Sequence, residues 1–398
     1  MKQIVVKLTA QSPIAVGEWM TSRSNVRESL AYIPGGVLRG ALAQAVREHL
    51  GGHASSRRAL GNDPALANAF DACFGKDGAR FGFLMPFGTL AWIPAPATAL
   101  FNKQRDEYLY DTLFPLLHDA DYPMECPNTG DRLERGRGWL AHIGGKWRKA
   151  SLPALRAFVR VGLNRQLEAA ETGILYTLEA IDPTDSTGEP IVFQGVVSFP
   201  SDGCAQAFQT ILDALRWRDE RVQVRIGSAR TRGFGAVVLE IADAPTPAPQ
   251  LDLEAFAQRA GKPIFTLLAR TPVLVHDACG APAPTLTPDL LREYLPDLPD
   301  SVQLIPEATR IERIPVSGWS GAWGMPKPVQ QAFAPGSVFT YKYDERDRAA
   351  LHNWLQQLAL YGVGERVAEG HGQFAVCSHY HLDTDIMQFT QSNAGGAQ

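Results

Sequence analysis

This sequence has little charge for its length. Asp, Glu, Lys and Arg make up only 20% of 398 residues and sum to a formal charge of -4, which excludes a free-standing, non-specific nucleic-acid binder of the usual strongly basic kind. Any site for a polyanion must therefore be a local patch. The five cysteines, Cys73, Cys126, Cys204, Cys279 and Cys377, form no C-x-x-C pair, which fits a reducing compartment rather than a disulfide scaffold. No apolar run approaches bilayer length, and the opening MKQIVVKLTA reads as a strand instead of a signal-peptide core. A cytoplasmic protein with no membrane partner is expected. The phosphate loop G-x-x-x-x-G-K-[ST], the zinc-protease pattern H-E-x-x-H and the nucleophile elbow G-x-S-x-G are all missing. Neither a cofactor nor a metal is expected, and acids such as Asp344 with Glu345 or Asp383 with Asp385 read as solvated turns.

Glycine is plentiful, and its placement organises the chain. Gly227, Gly233 and Gly235 stand at the spacing G-x5-G-x-G inside IGSARTRGFGAVVLE, and Gly364, Gly370 and Gly372 repeat that spacing inside VGERVAEGHGQFAV, 137 positions later. Each stretch runs into a β-prone segment, and Trp217 and Trp354 precede the two loops at the same offset within amphipathic segments. A repeated unit of helix, glycine loop and strand follows. Such glycines either turn the chain or let a ligand backbone lie on main-chain amides. Arg225, Arg230 and Arg232 give the first copy a phosphate-binding character, to which the second adds Arg366.

The rest of the chain divides around this repeat. Residues 2–16 and 261–275 open the two halves with similar strands, Leu8, Ala10, Pro13 and Val16 answering Leu267, Ala269, Pro272 and Val275. After Pro34, Val37, Ala41, Leu42, Ala45 and Val46 give a helix its apolar face. Arg39 lies in the first turn of that helix, where a cation opposes the dipole. It is either solvated or shares the helix end with a phosphate. Residues 51–162 read as an insertion, and within Arg132 to Arg165 nine basic residues meet one acid, Glu134, with Trp139 and Trp147 interleaved. That combination suits RNA backbone and bases, or is a solvated surface hairpin. The order strand, helix, two strands, helix, strand is the ferredoxin-like, RRM-like βαββαβ pattern. The expected class is α+β, with a first such domain over 1–243, a proline-rich linker over 244–261, a second domain over 262–382 and a disordered tail over 383–398.

With IPGGVLRGALA, GLNRQLEAAETGILYTLEAI, GSARTRGFGAVVLE and GVGERVAEGHGQF on the page, the chain resembles the RAMP superfamily of CRISPR effector subunits. GWSGAWGMPKP and GSVFTYKY make it most similar to type III-D subunits that cap the 5′ tag of crRNA. The resemblance covers about 1–50 and 155–382. It implies two tandem ferredoxin-like RAMP domains that grip the crRNA 5′ handle, with the large polymerase-cyclase-like subunit and backbone RAMP subunits as neighbours. It places RNA contacts on Arg39, Arg165 and the glycine loops, namely Gly227, Arg230, Arg232, Gly233, Gly235, Gly364, Arg366, Gly370 and Gly372. Relatives carry a paired-cysteine knuckle where CPNTG here supplies Cys126 alone, so no zinc site is carried over.

Two residue groups keep alternatives open. GWSGAWGMPKP is either an aromatic core hairpin or a stacking platform in which Trp319 and Trp323 take bases and Lys327 a phosphate. His371, with His379 and His381 expected on one strand face, invites a metal-independent endoribonuclease that processes precursor crRNA, Arg366 steadying the phosphate. No second acid or base is placed by spacing, so no catalytic residue is assigned beyond His371 as a candidate. A scaffold that contacts only proteins leaves the basic cluster and glycine loops unexplained.

Overall fold

The structure, a computed structural model, describes residues 2–17, 25–49, 63–104, 109–164, 168–216, 221–242 and 251–383. It is an α+β chain built on two antiparallel sheets. In the first, the strands run in the order Val222–Arg225, Ala236–Ala242, Lys2–Ala10, Val192–Phe199, Arg80–Phe81. The second runs in the order Phe374–Val376, Ile264–Ala269, Val338–Lys342, Gln303–Leu304. The strand that opens each half is central in its sheet. Lys2–Ala10 pairs with Val192–Phe199 on one side and Ala236–Ala242 on the other, and Ile264–Ala269 is flanked in the same way by Val338–Lys342 and Phe374–Val376.

Helices cover one face of each sheet, for local reasons the residues make plain. Asp202–Leu215 starts where the Ser201 side chain accepts from the Cys204 amide, and it buries Cys204, Phe208, Ile211 and Leu212 at helical spacing. Gly35–His49 buries Leu38, Ala41, Leu42 and Val46 in the same core. In the second half Arg348–Tyr361 buries Leu351, Trp354, Leu355 and Leu358.

Two expected boundaries move. The insertion does not begin at 51, because Pro64–Phe74 packs in the first core and Arg80–Phe81 closes the first sheet. The linker expected over 244–261 gives way to the helix Leu253–Ala260, capped by Asp252, whose Leu253, Phe256 and Ala260 share an apolar face buried in the second core. Residues 243–250 and the tail from 384 lie outside the described residues.

The true insertion folds as two small sheets, one of Trp92–Pro94, Trp139–Ile143 and Lys146–Ala150, the other of Leu109–Asp111, Ala99–Asn102 and Leu133–Arg135. Their Ile93, Ala99, Phe101, Leu109 and Leu140 are buried with the core of the second half, not the first. A segment of the first half thus completes the core of the second. Beyond it, Leu155–Asn164 and Ala169–Ile181 form a long hairpin that reaches from the first sheet and pairs in parallel with Val26–Arg27.

Candidate nucleic-acid interface

The first glycine loop is closed by its own half. Ile226 donates its amide to the Gly235 carbonyl at 2.8 Å, Ser228 to Ala15 at 2.8 Å and Gly235 to Pro13 at 2.8 Å. Gly227 and Gly235 have φ of +74° and +79°. A Cβ on them would lie 2.3 Å from the Ala15 carbonyl oxygen and 2.0 Å from that of Ile226, so only glycine fits. Between them Arg230–Arg232 make one 3-10 turn ending at Gly233, φ +89°, where a Cβ would meet nothing within 4 Å.

That turn is exposed and basic. Arg225 spends one N–H on the Arg230 carbonyl at 2.8 Å, and Arg232 donates to the Tyr176 hydroxyl. Tyr176 belongs to the long hairpin, and the Arg27 guanidinium lies over its ring at 5.5 Å. Next to it Phe158 meets Phe234 edge-on at 5.0 Å, with Arg156 over the Phe158 ring at 5.3 Å and Arg160 over the Phe234 ring at 5.7 Å. Six arginines thus gather around three aromatic rings on one surface. Among the described residues one carboxylate, Asp182, reaches this group, 4.0 Å from Arg156. Guanidinium groups held over rings keep N–H donors for phosphate oxygens, and such surfaces bind single-stranded RNA through backbone charge and base stacking.

The second glycine loop repeats the backbone of the first and reverses its surroundings. Val363 donates to Gly372 at 2.9 Å, Glu365 to Leu274 at 2.8 Å and Gly372 to Pro272 at 2.8 Å. A Cβ on Gly364 or Gly372 would lie 2.3 Å from the Leu274 oxygen or 1.9 Å from that of Val363. Arg366 takes the left-handed conformation, φ +59°, that Ala229 takes in the first loop, φ +56°. Here, however, the turn is seated against the first half. A Cβ on Gly370 would lie 2.5 Å from the Phe81 carbonyl oxygen, and one on Gly35, at the start of the first helix, 1.7 Å from the same atom. The paired glycines of IPGG are what let that helix start close against this loop.

Glu369 is the centre of the contact. Its carboxylate accepts from Arg366 Nη2 at 2.8 Å and Nε at 3.1 Å, pairs with Lys327 Nζ, and lies beside Gly36 in the first turn of the helix, where an anion is favoured. Burial pushes the Glu369 carboxyl up, but Arg366 and Lys327 together hold it below its usual range. Burial lowers Lys327 and Arg39. His371 is buried behind this cluster, edge-on to Phe83 at 5.7 Å. Burial, reinforced by Arg366, pushes its imidazole down to about 4.

The same cations brace the tryptophan hairpin. Arg313–Val316 and Gln330–Phe333 form its base, and Trp319–Ser320 and Met325–Pro326 its tip. Arg366 Nη1 donates to the Ser317 carbonyl at 3.0 Å, and the Lys327 amide to Gly318 at 2.8 Å. The tip holds Trp319 and Trp323 out in solvent, 52% and 79% exposed. A core hairpin is thereby excluded.

Comparison with known proteins follows from this geometry. The model of the RAMP superfamily matches residues 7–238, from the first strand through the first glycine loop and into the strand beyond it. The chain belongs to the RAMP superfamily. Among curated proteins none matches. Solved structures similar to this RAMP chain include one described as "Cryo-EM structure of the Type III-B Cmr-beta bound to cognate target RNA and AMPPnP, state 1", 13% identical, TM-score 0.43, covering 84% of this chain and 86% of that one. Another, "CRISPR associated protein Cas6", is 10% identical with a TM-score of 0.32, covering 94% and 98%.

Within this RAMP chain the residues singled out from sequence have unequal fates. Arg230, Arg232 and Gly233 lie on the open surface, as do Trp319 and Trp323. Lys327 and Arg366 are engaged by Glu369, and Arg39 donates to the Phe74 carbonyl and lies 5.7 Å over the Phe74 ring instead of meeting an anion at its helix end. Five of the six loop glycines, Gly227, Gly235, Gly364, Gly370 and Gly372, are required by the chain's own backbone, which gives them the chain-turning role that the sequence left open beside RNA contact. Arg165 and Trp217 lie outside the described residues.

The basic and aromatic stretch Arg132 to Arg165 does not act as one patch. Trp139 packs on Trp92 at 5.3 Å and Trp147 on His142 and Tyr380 at 5.2 and 6.1 Å, so neither stands out on the basic surface, while Arg135 pairs with Glu312 at 2.7 Å. Only Arg156 and Arg160 join the exposed face. His379 and His381 sit on a 3-10 turn, not a strand, and His381 is buried with Nδ1 2.7 Å from Asp111. Cys126 is buried 3.1 Å from the Tyr110 hydroxyl, and among the described residues no group of His, Cys, Asp and Glu is placed to hold a metal. No helix among them is long and apolar enough to cross a membrane. Sequence reading missed Phe158, whose signal was arginine alternating with aromatic or apolar residues in LRAFVRV, and it missed Arg27 and Tyr176, which lie in other segments and meet this face only in the fold.

Proposed function

We propose that this chain is the subunit of a type III, III-D-like CRISPR effector complex that binds the 5′ handle of crRNA and anchors the large polymerase-cyclase-like subunit and backbone RAMP subunits. The observation that carries the reading is the exposed surface of Arg27, Arg156, Arg160, Arg225, Arg230 and Arg232 around Tyr176, Phe158 and Phe234 on a RAMP-family chain. Two ferredoxin-like domains are part of it. The shared order of the two sheets, with the last strand, then the first, then the third and a short edge strand, supports that assignment.

Because the net charge is -4, long-range attraction of RNA is weak and firm binding needs neighbouring subunits to extend the patch. The endoribonuclease alternative loses support, since a base pushed down to about 4 and buried is matched neither to neutral pH nor to a substrate. The test is to purify the chain with its neighbours from cells and sequence the RNA that accompanies it. A common 5′ end is expected; RNA with random ends, or none, rejects handle binding.

A further inference from the structure

Val367 and Gly370 of the second loop also line a cavity of about 430 Å³ between the two halves, large enough for a mononucleotide. One wall comes from the first sheet with Gln3, Gly195 and Ser198, another from the insertion with Trp92 and Trp147, and the third from the second half with Arg270, Thr271 and Gln373. Three parts of the chain far apart in sequence meet here.

Arg270 holds its charge here with few partners. Its guanidinium lies over the Trp92 ring at 4.1 Å and donates from Nη2 to the Leu90 carbonyl at 3.2 Å, while Nε is buried with no partner. It makes no ion pair among the described residues. A second cavity residue, Arg80, donates from Nη1 to the Tyr361 carbonyl and lies 4.9 Å over the Tyr361 ring. Burial alone pulls Arg270 down to about 10. The single carboxylate on the lining is Asp383, at the last described position.

A guanidinium has five N–H donors in a planar fork that matches two oxygens of a phosphate, and holding one in the interior with most donors idle is costly unless an anion completes it. Trp147 and Phe83, with His142 beside Trp147 at 5.2 Å, give the same cavity flat apolar walls. We propose that this cavity is a binding site for a phosphate-bearing nucleotide group, with Arg270 on the phosphate and the aromatic wall against the base. The group belongs either to a free mononucleotide or to one nucleotide of a bound RNA strand. The site lies apart from the exposed arginine face and does not depend on the handle-binding reading.

The test titrates the full chain with AMP and with a short single-stranded oligoribonucleotide, comparing wild type, Arg270→Met and the Arg230→Ala, Arg232→Ala double variant. Wild type is expected to bind AMP at concentrations of about 1 mM or below, and Arg270→Met to weaken it by about tenfold or more, because the bidentate charge is gone. The double variant leaves AMP binding unchanged. If AMP does not bind but the oligoribonucleotide loses affinity in Arg270→Met, the occupant is a nucleotide of the RNA strand. Ligand-free Arg270→Met is expected to melt no lower than wild type, since an uncompensated charge has been removed. Arg270→Lys, which keeps the charge and loses the fork, gives a second variant, expected to bind more weakly than wild type. Failure of wild type to bind either probe, or equal affinities in wild type and both Arg270 variants, overturns the site. If AMP does not bind, loss of oligoribonucleotide binding in the double variant alone supports the exposed face and overturns the cavity site.

Discussion

The two glycine loops have one backbone and opposite environments. Both close with the same three amide-to-carbonyl bonds, both use a left-handed residue before a 3-10 turn, and both require glycine where a Cβ would strike a carbonyl. The residue that ends the turn is Arg232 in the first and Glu369 in the second. Arg232 lies on an open surface against Tyr176, whereas Glu369 is buried between Lys327 and Arg366 at the start of the first helix. A repeated loop is an open, basic surface in one copy and a buried contact between halves in the other. Loop conformation therefore says nothing about loop function; what packs on it does.

The contrast is broken most severely by removing the lock. Glu369→Ala leaves Lys327 and Arg366 half-buried or deeper without a counter-charge and is expected to cost about 3–5 kcal/mol, whereas Arg232→Ala should change stability by no more than about 0.5 kcal/mol. Denaturant unfolding of the two variants decides the matter, and equal midpoints would mean the second loop locks nothing.

Matched glycine changes come next. Gly233→Ala and Gly370→Ala impose the same left-handed strain, about 1 kcal/mol, but the second also drives a methyl against the Phe81 carbonyl and the Phe83 ring, adding about 1–3 kcal/mol. A difference in melting temperature near zero would show that the two halves do not press together at Gly370.

Acid should separate the copies as well. His371 is held at about 4 against an ordinary 6.5, so as pH falls below 6.5 the unfolded chain takes up the proton first. The stability from keeping it neutral is complete above about pH 6.5 and is lost progressively toward pH 4, up to roughly 3 kcal/mol. Stability measured against pH should show this slope in wild type and a shallower one in His371→Gln. An unchanged slope would place the titration elsewhere.

The smaller effects fall on RNA affinity, with the fold intact. Trp323→Ala should weaken binding by about 1–3 kcal/mol if one base stacks there, measured on the assembled complex; no loss would make the hairpin a protein contact. Replacing Arg230 and Arg232 together by Ala should flatten the salt dependence by about 0.7 in slope for each phosphate no longer neutralised. A slope identical to wild type would return the first loop to a plain structural turn.

How far the sequence could be read follows from where each constraint acts. The repeat, its register and the helix after Pro34 were legible, because positive φ at Gly235 or Gly372, set against the carbonyls of Ile226 and Val363, and an apolar face of Leu38, Leu42 and Val46 are demands made by residues a few positions apart. The linker was misread beyond 250 because proline masked the Asp252 cap and the Leu253, Phe256, Ala260 face. Trp139 resembled a base-stacking residue among basic neighbours, and no pattern within its own stretch announced Trp92 as its partner.

By itself, then, the sequence determined the repeat, the main helix faces and the family. Only the tertiary structure decided which arginines face solvent and that His371 is buried and neutral. It also decided that an insertion in the first half supplies core to the second, and that Arg270 rests on Trp92 from 178 positions before it. The reason is physical: backbone strain and helical periodicity are set by near neighbours along the chain, while burial and counter-charge come from segments that meet only when both halves are folded.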